Sequence, residues 1–264
     1  MSPWFFLLFM WIAAAAVMAG VWVYCRAKHN AGYVDAVWAY AIGAAALLGA
    51  LLIAGEPARR WGVALLAALW AFRLGTHLFK RIHGHEEDGR YQAMRAYFAP
   101  RVDLAFFVFF QLQALFVVLF VGPIVAAMSR PGPLDWRDAL GLTIWLIALL
   151  GESIADRQLA AFKRDPDADG PVCKRGLWRY SRHPNYFFEW VHWFAYLAIG
   201  ASLAAPIGWL ALAGPVAMLL FLVFITGIPY TEKRALASKG EAYKQYQRET
   251  PAFIPWFPKQ SDTP

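Results

Sequence analysis

The sequence predicts an all-α polytopic membrane protein with about seven transmembrane helices, and three observations carry that prediction. The chain of 264 residues is 59% hydrophobic and 17% aromatic, with a mean hydropathy of +0.40; soluble domains are about 45–50% apolar. The excess lies in long blocks. The basic residues fall almost entirely on alternate sides of those blocks.

A bilayer core about 30 Å thick is crossed by about 20 apolar residues in a helix. Seven stretches meet that length: 4–24, 34–54, 61–82, 104–128, 139–160, 186–204 and 207–229. The third and fifth carry ionisable residues, which leaves their edges open. The first has no basic residue before it and is long for a signal-peptide core, so it reads as a retained helix. Twenty of the 25 Lys and Arg residues lie at or beyond the inner ends of the first, third, fifth and seventh stretches. Four, Arg59, Arg60, Arg130 and Arg137, lie on the opposite side, and Arg73 lies within the third stretch. The positive-inside rule then puts the N-terminus outside and the C-terminus in the cytoplasm, which requires an odd number of helices.

The outer connections, 55–60, 129–138 and 205–206, are short. The cytoplasmic loops 79–103 and 161–184 and the tail 231–264 are long and charged. The chain therefore reads as one transmembrane domain, 1–264, whose working side faces the cytoplasm. No internal repeat or low-complexity tract breaks it. Cys25 and Cys173 fall in cytoplasmic segments and are expected as free thiols. Residues 231–249 have helical composition but are too polar to enter the bilayer. The aromatic residues of 251–258 suit the membrane interface. Topology accounts for the basic loops, and no basic-aromatic pattern points to nucleic acid.

Ionisable residues inside a membrane helix are costly and usually face a partner or a cavity. Asp35 lies near the inner end of the second helix. Arg73 and His77 lie four apart on the third, Glu152 and Asp156 four apart on the fifth, and Glu189 and His192 three apart on the sixth. All seven fall in the cytoplasmic half. They read either as glue between helices or as the lining of a polar cavity open to the cytoplasm, and four helices contributing at one depth favours the cavity.

The segment 176–189 is the most informative. Arg179, Arg182 and His183 offer cationic or hydrogen-bonding groups, Pro184 is suited to start a helix, and Asn185 places an amide at its first turn. Such a helix start suits an anion or a carboxamide; it also suits a basic flanking loop with a helix cap. This segment resembles the steroid 5α-reductase C-terminal-domain family and its bacterial branch. Its superfamily also holds sterol reductases and isoprenylcysteine carboxyl methyltransferases. Tyr33-Val-Asp-Ala-Val-Trp38, Glu87-Asp-Gly-Arg-Tyr91 and Ala155-Asp-Arg-Gln-Leu159 carry the likeness further.

The resemblance implies a seven-helix enzyme that binds NADPH from the cytosol and reduces a carbon–carbon double bond conjugated to a ketone. Asn185 and Glu189 would contact the nicotinamide end, with Asp156 one helix earlier. Lys163, Arg164, Arg179 and Arg182 would hold the phosphates, with His183 beside them, and Arg90 and Arg234 match further basic cofactor contacts. The family's carbonyl-polarising Gln-Glu and Tyr have no clear counterpart; Tyr33, Asp35 and His77 are the nearest candidates for the proton donor that such a reduction needs. No Gly-x-Gly-x-x-Gly follows a strand, so a Rossmann site is not expected.

Two weaker signals are better read structurally. Residues 165–170 resemble the opening of a calcium loop, but the twelfth position is Gly176 rather than Glu. Residues 83–88 hold two histidines without the i,i+4 spacing of a metal pair. No metal is expected. The leading reading is an inner-membrane reductase of a lipophilic enone, sterol-like or isoprenoid, in a bacterium, with the oligomeric state left open and a monomer plausible. The rivals are an S-adenosylmethionine-dependent membrane methyltransferase and a non-enzymatic lipid-binding or transport protein. No inverted repeat supports the last.

Overall fold

The computed structural model describes residues 1–165, 167, 168 and 170–259. Among these the regular structure is entirely helical: α1 Pro3–Lys28, α2 Tyr33–Leu52, α3 Pro57–Ile82, α4 Gly89–Tyr97, α5 Val102–Ser129, α6 Trp136–Arg164, α7 Pro184–Gly200, α8 Ala213–Leu220 and α9 Ile228–Glu249, with short 3-10 and π turns. Among the described residues six helical runs are long and apolar enough to cross a membrane: α1, α2, α3, α5, α6 and the run from Pro206 to Glu249. The sixth stretch read from the sequence forms α7, whose 17 residues span about 25 Å.

The last stretch differs from its sequence reading. It is a 3-10 turn over Pro206–Leu212, the short α8, a π turn over Phe221–Ile225 and then α9. The reason is chemical. Pro206, Pro215 and Pro229 each lack a backbone donor, which confines them to helix starts. The Thr226 and Gly227 amides both donate to the Phe221 carbonyl, closing the wider π turn. Loop 79–103 also contains a helix, α4, which hydropathy alone did not signal.

The chain divides into two compact units, Met1–Asp138 with Ile199–Gly214, and Ala139–Ala198 with Pro215–Pro264. In the first, α2 packs on α3 and α5, and α1 packs on α5. Small residues allow the close approach of α2 and α3: a Cβ on Gly43 would come 2.6 Å from that of Ala71. In hydrocarbon, helices associate through such tight contacts because apolar burial gives no advantage over lipid.

One end of this unit is fixed by a buried guanidinium. Arg59, whose side chain is fully buried, donates through Nε to Asp138 Oδ1 at 2.7 Å and through its terminal nitrogens to the Arg130, Gly132 and Pro133 carbonyls and to Asp138 Oδ2. Arg60 caps α2 by donating to the Ala50 and Ile53 carbonyls, where the helix dipole favours a cation.

In the second unit, α6 and α7 lie so close at Gly151 that a Cβ there would enter the Phe188 ring. Outside the helix pair, Val172, Tyr243 and Tyr246 form a small core under α9. Cys25 and Cys173 are both free and buried.

Candidate functional site

The second unit holds most of the residues singled out above. Pro184 opens α7 and Asn185 follows in its first turn. The Asn185 amide nitrogen donates to Asp156 Oδ1 of α6 at 3.3 Å. One turn further along α7, Glu189 accepts from the Trp193 indole at 3.3 Å and is buried, as are Glu152 and His192. Asp156 and Asn185 are thus brought together, and Glu189 lies on the same helix face as Asn185.

The segment before α7 is stapled from a distance. Arg182 is buried; its Nε donates to Glu232 Oε1 at 2.6 Å and its Nη1 to the Gln247 and Thr250 carbonyls. His183 shares the same Glu232 oxygen at 3.3 Å, and Gln247 donates to the other at 2.9 Å. Burial pushes the His183 imidazole below its ordinary value, against the pull of Glu232. The His183 ring stacks on Tyr186.

The following chain then straps this corner. The Arg182 amide donates to the Pro251 carbonyl, the Ser181 hydroxyl to the Phe253 carbonyl, and the Trp256 amide to the Tyr180 carbonyl. Phe253 seats its ring against Phe187 and Trp190. Gly176, at φ +57°, holds a backbone form that L side chains rarely adopt, and any Cβ there would strike Gln158. Gln158 in turn accepts from the Leu177 amide at 2.9 Å.

The remaining basic residues of the set, Lys163, Arg164, Arg179 and Arg234, are exposed. The Arg234 guanidinium lies 5.8 Å from the Tyr230 ring. Lys163 has a further neighbour that the sequence reading missed: Lys239 of α9 lies within electrostatic reach of it. Two ammonium groups held near each other favour an anion between or beside them. Glu232, the shared partner of Arg182 and His183, was also missed, because its sequence neighbourhood is an ordinary polar helix.

In the first unit, Asp35 accepts from Arg90 at 3.0 Å and from the Tyr91 hydroxyl at 2.7 Å, so both carboxylate oxygens serve as acceptors. Arg90 also bonds Asp88 at 3.2 Å, and Arg81 reaches the other Asp88 oxygen at 2.9 Å. Burial raises the Asp88 carboxyl, but the Arg90 amide and guanidinium and the Arg81 charge outweigh it and hold the group at about 2. Next to this network, Glu87 accepts from the Ala31 amide and from Arg95. The loop thereby clamps the start of α2. Tyr33 is half-buried between the rings of Tyr24 and Phe79, and His77 is exposed on α3. Among the described residues no three His, Cys, Asp or Glu side chains group to hold a metal. Pro166 and Asp169, in the calcium-loop-like stretch, lie outside the described residues.

Helical units with long apolar spans and buried ionisable groups define the molecule as a multi-pass membrane-type protein. The chain belongs to the family described as "Protein of unknown function (DUF1295)", which matches residues 21–250. It is 35% identical over 99 residues to the uncharacterized protein C9.08c of Schizosaccharomyces pombe, covering 31% of this chain and 35% of that one. It is 26% identical over 228 residues to the uncharacterized protein C594.04c of the same yeast, covering 73% and 62%. The chain thus spans less than two thirds of either relative's length. No solved structure matches.

Proposed function

We propose that this protein is a membrane-embedded, NADPH-dependent reductase of the double bond of a lipophilic enone. The observation that carries the reading is the start of α7: the Asn185 amide bonded to Asp156, and Glu189 one turn further on, on a helix preceded by a segment whose Lys174, Arg175 and Arg179 are exposed. An amide that both donates and accepts suits a nicotinamide carboxamide. Exposed Lys163, Arg164, Arg179 and Arg234, with Lys239 near Lys163, suit its phosphates. The donor set therefore fits the cofactor, which would supply the hydride. Arg182 and His183 take a different part here: bound to Glu232, they fix the position from which α7 starts. Arg90 likewise positions α2 through Asp35.

We read α7 as a seventh span, the N-terminus as outside and the C-terminus as cytoplasmic, in the inner membrane of a bacterium. The sidedness of the basic residues supports this. The bundle would shield the reacting carbons from water while the nucleotide is held at the cytosolic face.

The test is ligand-induced thermal stabilisation of the detergent-solubilised protein. NADPH should raise the midpoint in a concentration-dependent way, and more than NADH at equal concentration. Stabilisation by S-adenosylmethionine alone would replace this reading with a membrane methyltransferase. Stabilisation by neither, with lipid co-purifying, would favour a lipid-binding protein.

A further inference from the structure

Eleven residues outward from the Asp156–Asn185 hydrogen bond, along each of the antiparallel helices α6 and α7, a second polar pair meets. The step is about 16 Å. It brings Trp145 of α6 to the level of Tyr196 of α7, past Glu152 and Glu189 at four residues. Trp145 is 3% exposed and Tyr196 fully buried. The His192 ring borders both, with its centroid 6.5 Å from Trp145 and 5.2 Å from Tyr196. The indole N–H and the phenol feel each other, yet neither Trp145 Nε1 nor the Tyr196 oxygen completes a hydrogen bond among the described residues.

Buried polar groups are nearly always satisfied, and each exception calls for an explanation. Here two lie together. Indole N–H is a donor only, and the phenol is a donor as well as an acceptor. Two donors facing each other beside the His192 ring match one oxygen with two lone pairs. That is the geometry used to hold a carbonyl oxygen whose negative charge grows during reaction.

We propose that Trp145 and Tyr196 form a two-donor site for the ketone oxygen of the substrate, with Tyr196 as its proton donor. This rests on the reductase reading and names the acid it lacked. As a hydride bonds to the β-carbon, the carbon–carbon π pair moves to join the α-carbon to the carbonyl carbon. The carbonyl π pair moves to oxygen, which takes the Tyr196 proton. The resulting enol returns that proton to Tyr196 as its α-carbon takes one from water. The net change is one hydride from NADPH and one proton from solvent, giving NADP+ and the saturated ketone. A site about 16 Å along the helix from Asn185 also selects a substrate that is itself lipophilic.

The experiment needs no turnover. Progesterone, as a model enone, is bound to the purified protein without NADPH, and its ultraviolet band and affinity are followed. Hydrogen bonding to the carbonyl should move the band to longer wavelength. Tyr196→Phe and Trp145→Phe should each lose most of that shift and weaken binding about tenfold. The same skeleton without ketones should bind all three proteins alike. Tyr196→Phe should keep the thermal midpoint, since the hydroxyl it removes completes no hydrogen bond among the described residues; a marked fall would assign the hydroxyl a structural bond and overturn the proposal. An unchanged shift in both variants, or a shift lost in Tyr33→Phe or His77→Ala instead, would also overturn it. If NADPH stabilises the protein while progesterone shows no shift, the carbonyl site fails and the reductase reading stands. If the shift appears but NADPH does not bind, the reverse holds.

Discussion

The polar network around Arg90 in the first unit and the polar ladder between α6 and α7 in the second contain similar residue types and are built differently. In the network, Asp35, Asp88, Arg81, Arg90 and Tyr91 close on one another within 3.2 Å. In the ladder, the level nearest the basic segment is joined by the Asp156–Asn185 bond, but the far level ends in Trp145 and Tyr196, whose polar atoms complete no hydrogen bond among the described residues. A set of charges that satisfies itself holds a fold together; one with unmet donors keeps room for a ligand. The Arg182–Glu232–His183 cluster belongs to the first kind although it lies in the same unit as the ladder.

This contrast makes predictions of graded size. The largest effect belongs to Arg182→Ala, which leaves Glu232 facing a vacated guanidinium site and the Gln247 and Thr250 carbonyls without their donor. Breaking a buried pair in this way costs about 3–5 kcal/mol. The unfolding midpoint should drop sharply, and Arg182→Lys should recover only part, because an ammonium cannot reproduce the forked contacts. A midpoint within error of the wild type would place Arg182 with the ligand-facing residues. Asp35→Ala should cost about 2 kcal/mol by leaving Arg90 and Tyr91 short of an acceptor, with NADPH affinity unchanged in whatever fraction remains folded.

Asn185→Ala should act mainly on turnover. Misplacing a reacting ring costs rate beyond affinity, so kcat with progesterone at saturating NADPH should fall by about tenfold or more while the midpoint moves little. Undiminished kcat would remove the ladder's first level from the site. The smallest effect concerns acid. Asp88 is held at about 2 in the folded protein against an ordinary value near 3.8. Its carboxylate contributes fully above the ordinary value, and that contribution is lost as pH falls from about 4 through 2. Asp88→Asn should therefore flatten the fall in stability over that range, and an unchanged slope would show that other groups govern it.

The apolar spans were legible because hydropathy is local: α1, α2, α3 and α5 begin and end within a few residues of the stretches that announce them. Asp156 and Asn185 were legible because helical spacing and motif agreed. What stayed hidden depends on distant contacts. Arg179 and Arg182 read alike in the chain, yet one is exposed and the other buried, because Glu232 arrives from 50 residues away. The pairing of Trp145 with Tyr196 needs the register of α6 against α7, which no single stretch encodes. The break in the last span was written in Pro206, Pro215 and Pro229, but the summed hydropathy of the region masked it.

The strap has a consequence for how the protein is made. Residues 180–187 emerge from the ribosome about seventy residues before the segment whose carbonyls bind Ser181 and Arg182. During that interval the spans can enter the membrane while the corner that positions Asn185 has no partner. Insertion and maturation are then separate events: a nascent chain halted before 251 could hold its spans in the membrane and still lack the bonds that fix the start of α7.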